Sequence, residues 1–207
     1  MVIWKADESA EVSDAHLSHY RQTAPGCGLV VVEATTVSPE GRLAASQLGL
    51  FADRHIPGMR GLAETIRETG AMAGIQIHHA GSRTNQKKTW GATPIDPDTV
   101  SETDIFRIID DFTTAAQRAV EAGFELLEIH GAHGYLGSQF LSPRSNHRTD
   151  RWGGSPHNRV RFLRELVERI HAAVGERVLL SCRLGVAEDT SKAAGIEVSD
   201  GVDAARV

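Results

Sequence analysis

Short apolar runs that read as strands buried on both faces alternate with amphipathic helical patterns from one end of this chain to the other. That alternation limits the fold more than any other feature. A strand that is apolar on both faces needs cover on both, and when intervening helices supply the cover, neighbouring strands run parallel. Strand-like runs occupy residues 28–33, 73–78, 122–129 and 178–183. Between them, Ser13 reads as the N-cap of a first helix through His16, Leu17 and Tyr20 that ends near Pro25 and Gly26. A second helix, over 57–69, carries Met59, Leu62, Ala63 and Ile66 on one face and stops at Gly70. Ser101 and Asp104 have capping-box-like spacing ahead of Ile105, Ile108, Ile109, Phe112, Ala116 and Ala119. Ser155 and Pro156 open a fourth helix with Leu163, Leu166, Val167, Ile170 and Val174 at three-four spacing, and 198–207 begins a further one.

Four strands and five helices, whole or partial, predict α/β architecture with a parallel sheet. A closed eight-stranded barrel needs about 250 residues. The expectation for 207 residues is therefore a single domain, 1–207, forming an incomplete (β/α)8 TIM barrel of about four strands. Its edges at 28–33 and 178–183 would stay unpaired, exposing hydrogen-bonding groups that a second copy or a partner chain would cover.

Composition narrows the setting. No apolar run is long enough to cross a bilayer, and the opening Val2-Ile3-Trp4 gives way at once to Lys5, Asp7 and Glu8, unlike a signal peptide. A net charge of −5 does not favour a nucleic-acid surface. A cytoplasmic protein without membrane or nucleic-acid partners is expected. Cys27 and Cys182, beside or within strands, are expected to be buried, reduced thiols.

The segment richest in chemistry is 128–135, Glu-Ile-His-Gly-Ala-His-Gly-Tyr. It ends the third strand, and the ends of barrel strands are where such folds keep their chemistry. His130 shares the strand parity of Phe124, Leu126 and Glu128, while His133 and Tyr135 sit just beyond on a loop loosened by Gly131 and Gly134. The three side chains can converge on one small-molecule site. Spacing alone leaves three roles open: hydrogen-bonding the loop, catalysis, or metal ligation by His130 and His133 with Glu128, or by His78 and His79, as in a metal-assisted hydrolase.

The segment after Tyr135 is more specific: a long polar loop through Gln139, Asn146, Arg148, Asp150, Gly153, Gly154, Ser155, Asn158, Arg159 and Arg161 leading into a helix. With the His-Gly-Ala-His-Gly-Tyr, Gln-Phe-Leu-Ser-Pro, Asn-x-Arg-x-Asp and Gly-Gly-Ser patterns, nearly all of the chain resembles the old yellow enzyme family of flavin-dependent ene-reductases. That resemblance implies an FMN-dependent oxidoreductase that takes hydride from NAD(P)H and reduces the C=C bond of an activated alkene such as an enone. It implies that Ala34, Gln76, His130 and Arg183 contact the flavin, Gln76 at the pyrimidine ring and Arg183 as a cation beside N1 and O2. His130 and His133 would hydrogen-bond the substrate's carbonyl or nitro oxygen, and Tyr135 would protonate the α-carbon. No metal is implied. Many relatives carry His-x-x-Asn where this chain has a second histidine; both supply two donors.

Other readings are more modest. The polar set from Asn146 to Arg161 is read as a network fixing the loop, and His79 as satisfying local backbone. Arg183 has a plainer alternative in pairing with Glu128. Lys87, Lys88 and Trp90 occupy a loop that either covers the site or forms a solvated turn, and Trp4 falls near the flavin face in relatives. Against the family pattern, the chain starts just after the first strand and stops before the sixth. The loops after strands seven and eight, which anchor phosphate in such barrels, are missing, so the chain alone is expected to bind FMN weakly or not at all. A non-catalytic barrel fragment remains the third class.

Overall fold

The computed structural model describes residues 2–191 and 193–206. Four strands, β1 (Leu29–Thr36), β2 (Met72–His78), β3 (Leu126–Gly131) and β4 (Leu179–Leu184), form one sheet in the order β1-β2-β3-β4 with every neighbouring pair parallel. Helix α1 (Asp14–Thr23) precedes β1, α2 (Ile56–Arg67) joins β1 to β2, and α3 (Glu102–Glu121) joins β2 to β3. The crossover from β3 to β4 holds α4 (Leu136–Leu141), α5 (Pro156–Arg159) and α6 (Arg161–Val174), and α7 (Val198–Ala205) comes after β4. Spatial order equal to chain order is that of a barrel wall, without the reversal of a doubly wound sheet. The architecture is the expected incomplete (β/α)8 barrel.

The sheet has two unlike faces. Ile75, Ile77, Leu127 and Ile129 point outward and are completely buried beneath Ile105, Ile108, Ile109 and Phe112 of α3 and Phe162, Leu166 and Ile170 of α6. Each aliphatic side chain removed from water in this layer contributes roughly 1.5–3 kcal/mol. The inner face is built in rows by the register. Val31, Gly74, Leu126 and Leu179 lie side by side, then Gln76, Glu128 and Ser181, then His130 opposite Arg183. Gly74 belongs where it is: a Cβ there would sit 3.1 Å from Leu126 and 3.2 Å from Val31. Moving toward the strands' C-terminal ends, the inner face turns from apolar to polar, and the site lies there.

Several boundaries depart from the sequence reading. β1 runs to Thr36, three residues beyond expectation, and β3 starts at Leu126 because Ala122 and Gly123 instead close α3: the Ala122 N–H donates to the Arg118 carbonyl (2.8 Å) and Gly123 has φ +89°. The polar loop after β3 contains the unforeseen α4, wholly buried, with Phe140 stacked on Phe162 at 4.4 Å between ring centroids. Six residues are too few for a helical period to stand out. The expected fourth helix divides at Val160 into α5 and α6, and Arg159 at the division turns inward to donate to the carbonyls of Leu141 (2.8 Å) and Gly154 (2.7 Å). The last helix ends by Ala205, and Val207 lies outside the described residues.

The cysteines correct another expectation. Both Cys27 and Cys182 are exposed, Cys27 in the turn before β1 and Cys182 on β4, an edge strand with no further strand to cover it among the described residues. The two edges also leave Leu29 and Leu179 accessible. Among the described residues, no helix is long and apolar enough to cross a membrane.

Candidate active site

At the polar end of the inner face is a cavity of about 420 Å³, lined among others by Ala34, Gln76, His130, His133, Tyr135 and Arg183. Its size is that of a small-molecule site, and all six residues singled out from the sequence border it. Val31, Val32, Glu33, Leu43, His78 and Glu128 border it too, without having been assigned a part in a flavin site. Trp4 also lines it, as its placement in relatives suggested.

Glu33 and Ala34 reach the cavity together because of an irregularity in β1. Val32 pairs with Ile75 but the next paired residue, Thr35, meets Ile77, so β1 holds one extra residue there. Such a bulge re-aims side chains that strict alternation would send to opposite faces. Glu33 is buried, and its carboxylate accepts the Ile3 N–H and faces His16 Nε2 at 3.4 Å. The Ser13 N–H donates to His16 Nδ1 at 3.1 Å, fixing that ring from the start of α1. Tyr20 Oη accepts the Glu33 N–H (3.0 Å), and burial pushes the Tyr20 phenol above its ordinary range. The segment Val2–Trp4 is thus tied to the cavity wall.

The histidine loop is shaped by backbone as much as by side chains. His133 has φ +60° and Gly134 φ +73°, two consecutive left-handed residues that turn the chain from β3 into α4. Gln139 holds the turn: its Nε2 donates to the carbonyls of Gly134 (2.7 Å) and Ala80 (3.2 Å), and its Oε1 accepts the Ser82 N–H (3.0 Å). Gly81 has φ +62°, and a Cβ on it would lie 2.1 Å from that Oε1, so a side chain there would displace the Gln139 amide. The loops after β2 and β3 are thereby fixed to one another.

Within the loop, the Ala132 N–H donates to His130 Nδ1 (3.3 Å), which places the proton of the neutral ring on Nε2. Nε2 faces His133 Nδ1 at 3.3 Å, so His133 carries its own proton on Nε2. Burial, with further contributions from His133 and Arg183, pushes the His130 pKa down to about 4. His130 is therefore neutral at neutral pH, and a ligand oxygen competes with His133 for its Nε2 proton. Facing nitrogens that bond each other do not converge on a metal, and among the described residues no three His, Cys, Asp or Glu side chains are arranged to hold one. The metal-hydrolase reading is not favoured.

His78 is completely buried with neither ring nitrogen partnered among the described residues. It packs edge-on to Tyr135, with 4.6 Å between centroids, and at 5.3 Å from His130. Burial first, then His130 and His79, hold it neutral, well below the usual imidazole range. Its parity with Gln76 along β2 was the sequence signal for its position. His79, as expected, serves local backbone, its Nδ1 accepting the Gly81 N–H (3.0 Å).

Gln76 Nε2 donates to Glu128 Oε1 at 2.6 Å across the β2–β3 register, which leaves the Gln76 carbonyl turned to other donors. Arg183 is exposed, opposite His130 in the register, and forms no ion pair with Glu128 among the described residues. An amide and a guanidinium on one wall match the polar edge of a planar heterocycle, which is a fit to the pyrimidine side of a flavin. The Trp90 loop does not line the cavity; Trp90 stacks on buried Arg42, 3.3 Å from guanidinium carbon to ring centroid. The polar set after α4 is spent as the sequence reading anticipated. Asn146 Nδ2 donates to the carbonyls of Phe140 (2.6 Å) and Trp152 (2.8 Å), and Arg148 pairs with Asp150 at 2.6 Å.

Residues 1–205 match the family model described as the NADH:flavin oxidoreductase / NADH oxidase family. The NADPH dehydrogenase of Bacillus subtilis is 37% identical over 212 residues, covering 97% of this chain and 61% of that protein. The NADPH dehydrogenase of a Geobacillus species is 42% identical, covering 82% of this chain and 53% of that protein. The chain therefore spans between half and two thirds of these relatives. Among solved structures, an old yellow enzyme homologue from Zymomonas mobilis superposes with a TM-score of 0.81 at 27% identity, covering 86% of this chain and 56% of that one. A 2-naphthoyl-CoA reductase does so with a TM-score of 0.90 at 28% identity, covering 100% of this chain and 35% of that one. A family match along almost the whole chain, joined to this sheet and this cavity, means that the chain belongs to the NADH:flavin oxidoreductase / NADH oxidase family, the old yellow enzymes.

Proposed function

We propose that the chain provides the substrate-binding half of an FMN-dependent oxidoreductase that takes hydride from NAD(P)H and reduces the C=C bond of an activated alkene such as an enone. The observation that carries this reading is the meeting of Ala34, Gln76, His130, His133, Tyr135 and Arg183 around one cavity. FMN held there would supply the hydride transfer from the nicotinamide to the alkene's β-carbon. Gln76 and Arg183 orient the pyrimidine edge, and the Arg183 charge favours electron density there. His130 Nε2–H and His133 Nε2–H donate to the activating oxygen and oppose the charge that builds on it. His130, held neutral by burial, polarises without surrendering a proton. Tyr135, edge-on to His78 and His130, supplies its phenolic proton to the α-carbon. Ala34 leaves the β1 side of the cavity open to a flat ring.

Small molecules in the cytoplasm are the partners of this reading, and a second copy or another chain would pair with the exposed edges of β1 and β4. The test is the visible spectrum of the purified 207-residue chain before and after adding excess FMN. With FMN in excess over the weak affinity expected of the chain alone, a bound-flavin spectrum that NADPH bleaches and 2-cyclohexenone restores is the expected result. A chain that takes up flavin but does not recover its colour with any activated alkene would overturn the reaction assigned.

A further inference from the structure

A second cavity, also of about 420 Å³, opens beside the first between the loops after β3 and β4, and the two share His133 and Arg183. Arg83 stands on its other side. Arg83 Nε donates to the Gly134 carbonyl at 3.4 Å, and a Cβ on Gly134 would lie 3.1 Å from Arg83 Nη2. The bare glycine therefore lets the guanidinium lie against the histidine loop, and Nη1 and Nη2 of Arg83 make no hydrogen bond among the described residues. Neither Arg83 nor Arg183 has a carboxylate partner among the described residues. A third cation, Arg144, borders the adjoining pocket with Arg83 and Glu188, but its Nε donates to the carbonyl of Ala194 (2.9 Å) and its Nη2 to those of Asp189 (2.5 Å) and Ala193 (3.2 Å). Glu188, the carboxylate of this cavity, is held through Oε2, which accepts from Ser142 Oγ (2.5 Å) at the end of α4 and from the Ile196 N–H (2.8 Å) of its own loop.

Arg83 keeps a planar fork free to match phosphate oxygens, and the charge of Arg183, whose donors face the flavin edge in the proposed reaction, adds to the positive potential of the same cavity. We propose that this cavity is a phosphate subsite, which takes a phosphate or diphosphate of a ligand whose reactive end lies beside His130 and His133. The inference rests on the proposed reaction for its choice of ligand class: a nicotinamide dinucleotide, whose diphosphate would lie against Arg83 while its ring reaches the shared wall at Arg183. A substrate that itself bears a diphosphate carries the same chemistry.

The first measurement is calorimetric binding of inorganic diphosphate to the purified chain and to Arg83→Gln, at two salt concentrations. Diphosphate binding that weakens about tenfold in R83Q, the factor for ~1.4 kcal/mol, and weakens with salt is expected. No binding, or equal binding by both proteins, overturns the subsite. This readout needs neither flavin nor turnover. Failure to reduce any alkene alongside Arg83-dependent diphosphate binding would fault the proposed reaction and leave the subsite standing. With FMN added, a KM rise in R83Q for NADPH but not for reduced nicotinamide mononucleotide supports the dinucleotide. A KM rise confined to a diphosphate-bearing alkene overturns the dinucleotide assignment in favour of the substrate.

Discussion

Two polar regions lie a few residues apart on this chain and differ in how completely their groups are used. Between α4 and α6, nearly every donor has an acceptor: Asn146 spans two carbonyls, Arg148 joins Asp150 to the carbonyls of Pro97 and Val100, Arg159 spans Leu141 and Gly154, and the Trp152 indole donates to Glu102 (2.7 Å). Around the cavity the reverse holds. Among the described residues His78 has no partner for either nitrogen, Glu33 keeps one oxygen without a hydrogen bond, and His130 and His133 bond chiefly to each other. An unpartnered buried polar group costs about 1–3 kcal/mol, so a fold retains several in one place only where something else uses them. Saturation marks the structural network, and its absence marks the site.

Acid separates the two regions most strongly. His79 and His130 are held down to about 4 by burial, against about 6.5 in an unfolded chain. Between those values the unfolded state binds more protons, so stability falls as pH drops through about 6.5, and that contribution is lost in full below about 4. Asp111, raised to about 6 by burial, works in the opposite direction over its own range and offsets part of the loss. In the loop network, the hydrogen bond from Arg148 holds the Asp150 carboxyl below its ordinary value, and that contribution is lost only in stronger acid. Denaturant titrations at about pH 7 and about pH 5 should differ by a few kcal/mol; equal midpoints would refute the buried-neutral assignment.

Within the saturated region, Trp152→Ala removes the largest fully buried side chain and should lower stability by about 3–5 kcal/mol, read from urea unfolding. Tyr135→Phe probes the unsaturated side. Turnover with an enone should drop about 10²-fold or more while stability stays within about 0.5 kcal/mol of the parent; a large loss of stability would move Tyr135 into the structural class. Asn146→Ala strands two buried carbonyls and should cost about 1–3 kcal/mol. A smaller cost would mean water replaces the amide, and the contrast between the regions would narrow.

The sequence reading reached the six cavity residues because strand-end position and a long motif carry their own information. Alternation on β3 set the parity of His130, the Gly131 and Gly134 positions marked the turn that carries His133 and Tyr135, and the family resemblance supplied Ala34, Gln76 and Arg183. It missed Glu33 because the extra residue in β1 breaks alternation, and period two cannot forecast a bulge. It missed the role of His78 because an imidazole in an apolar strand has no local mark of being unpartnered. The exposed cysteines were missed for a related reason: residue type suggests burial, while position decides it, an edge strand for Cys182 and a turn for Cys27.

By itself, the sequence determined the alternating α/β order, the parallel sheet, the family and the placement of the histidine motif at a strand's end. These arise from periodicity, glycine positions and local motifs, all of which act over a few residues. Tertiary structure decided which polar groups are consumed and which stay free, the His130–His133 bond and its tautomers, the Gln139 link between two loops, and the meeting of Arg83 with Arg183 across a cavity. Each of these depends on distances between residues that only the packed sheet and its connecting loops set.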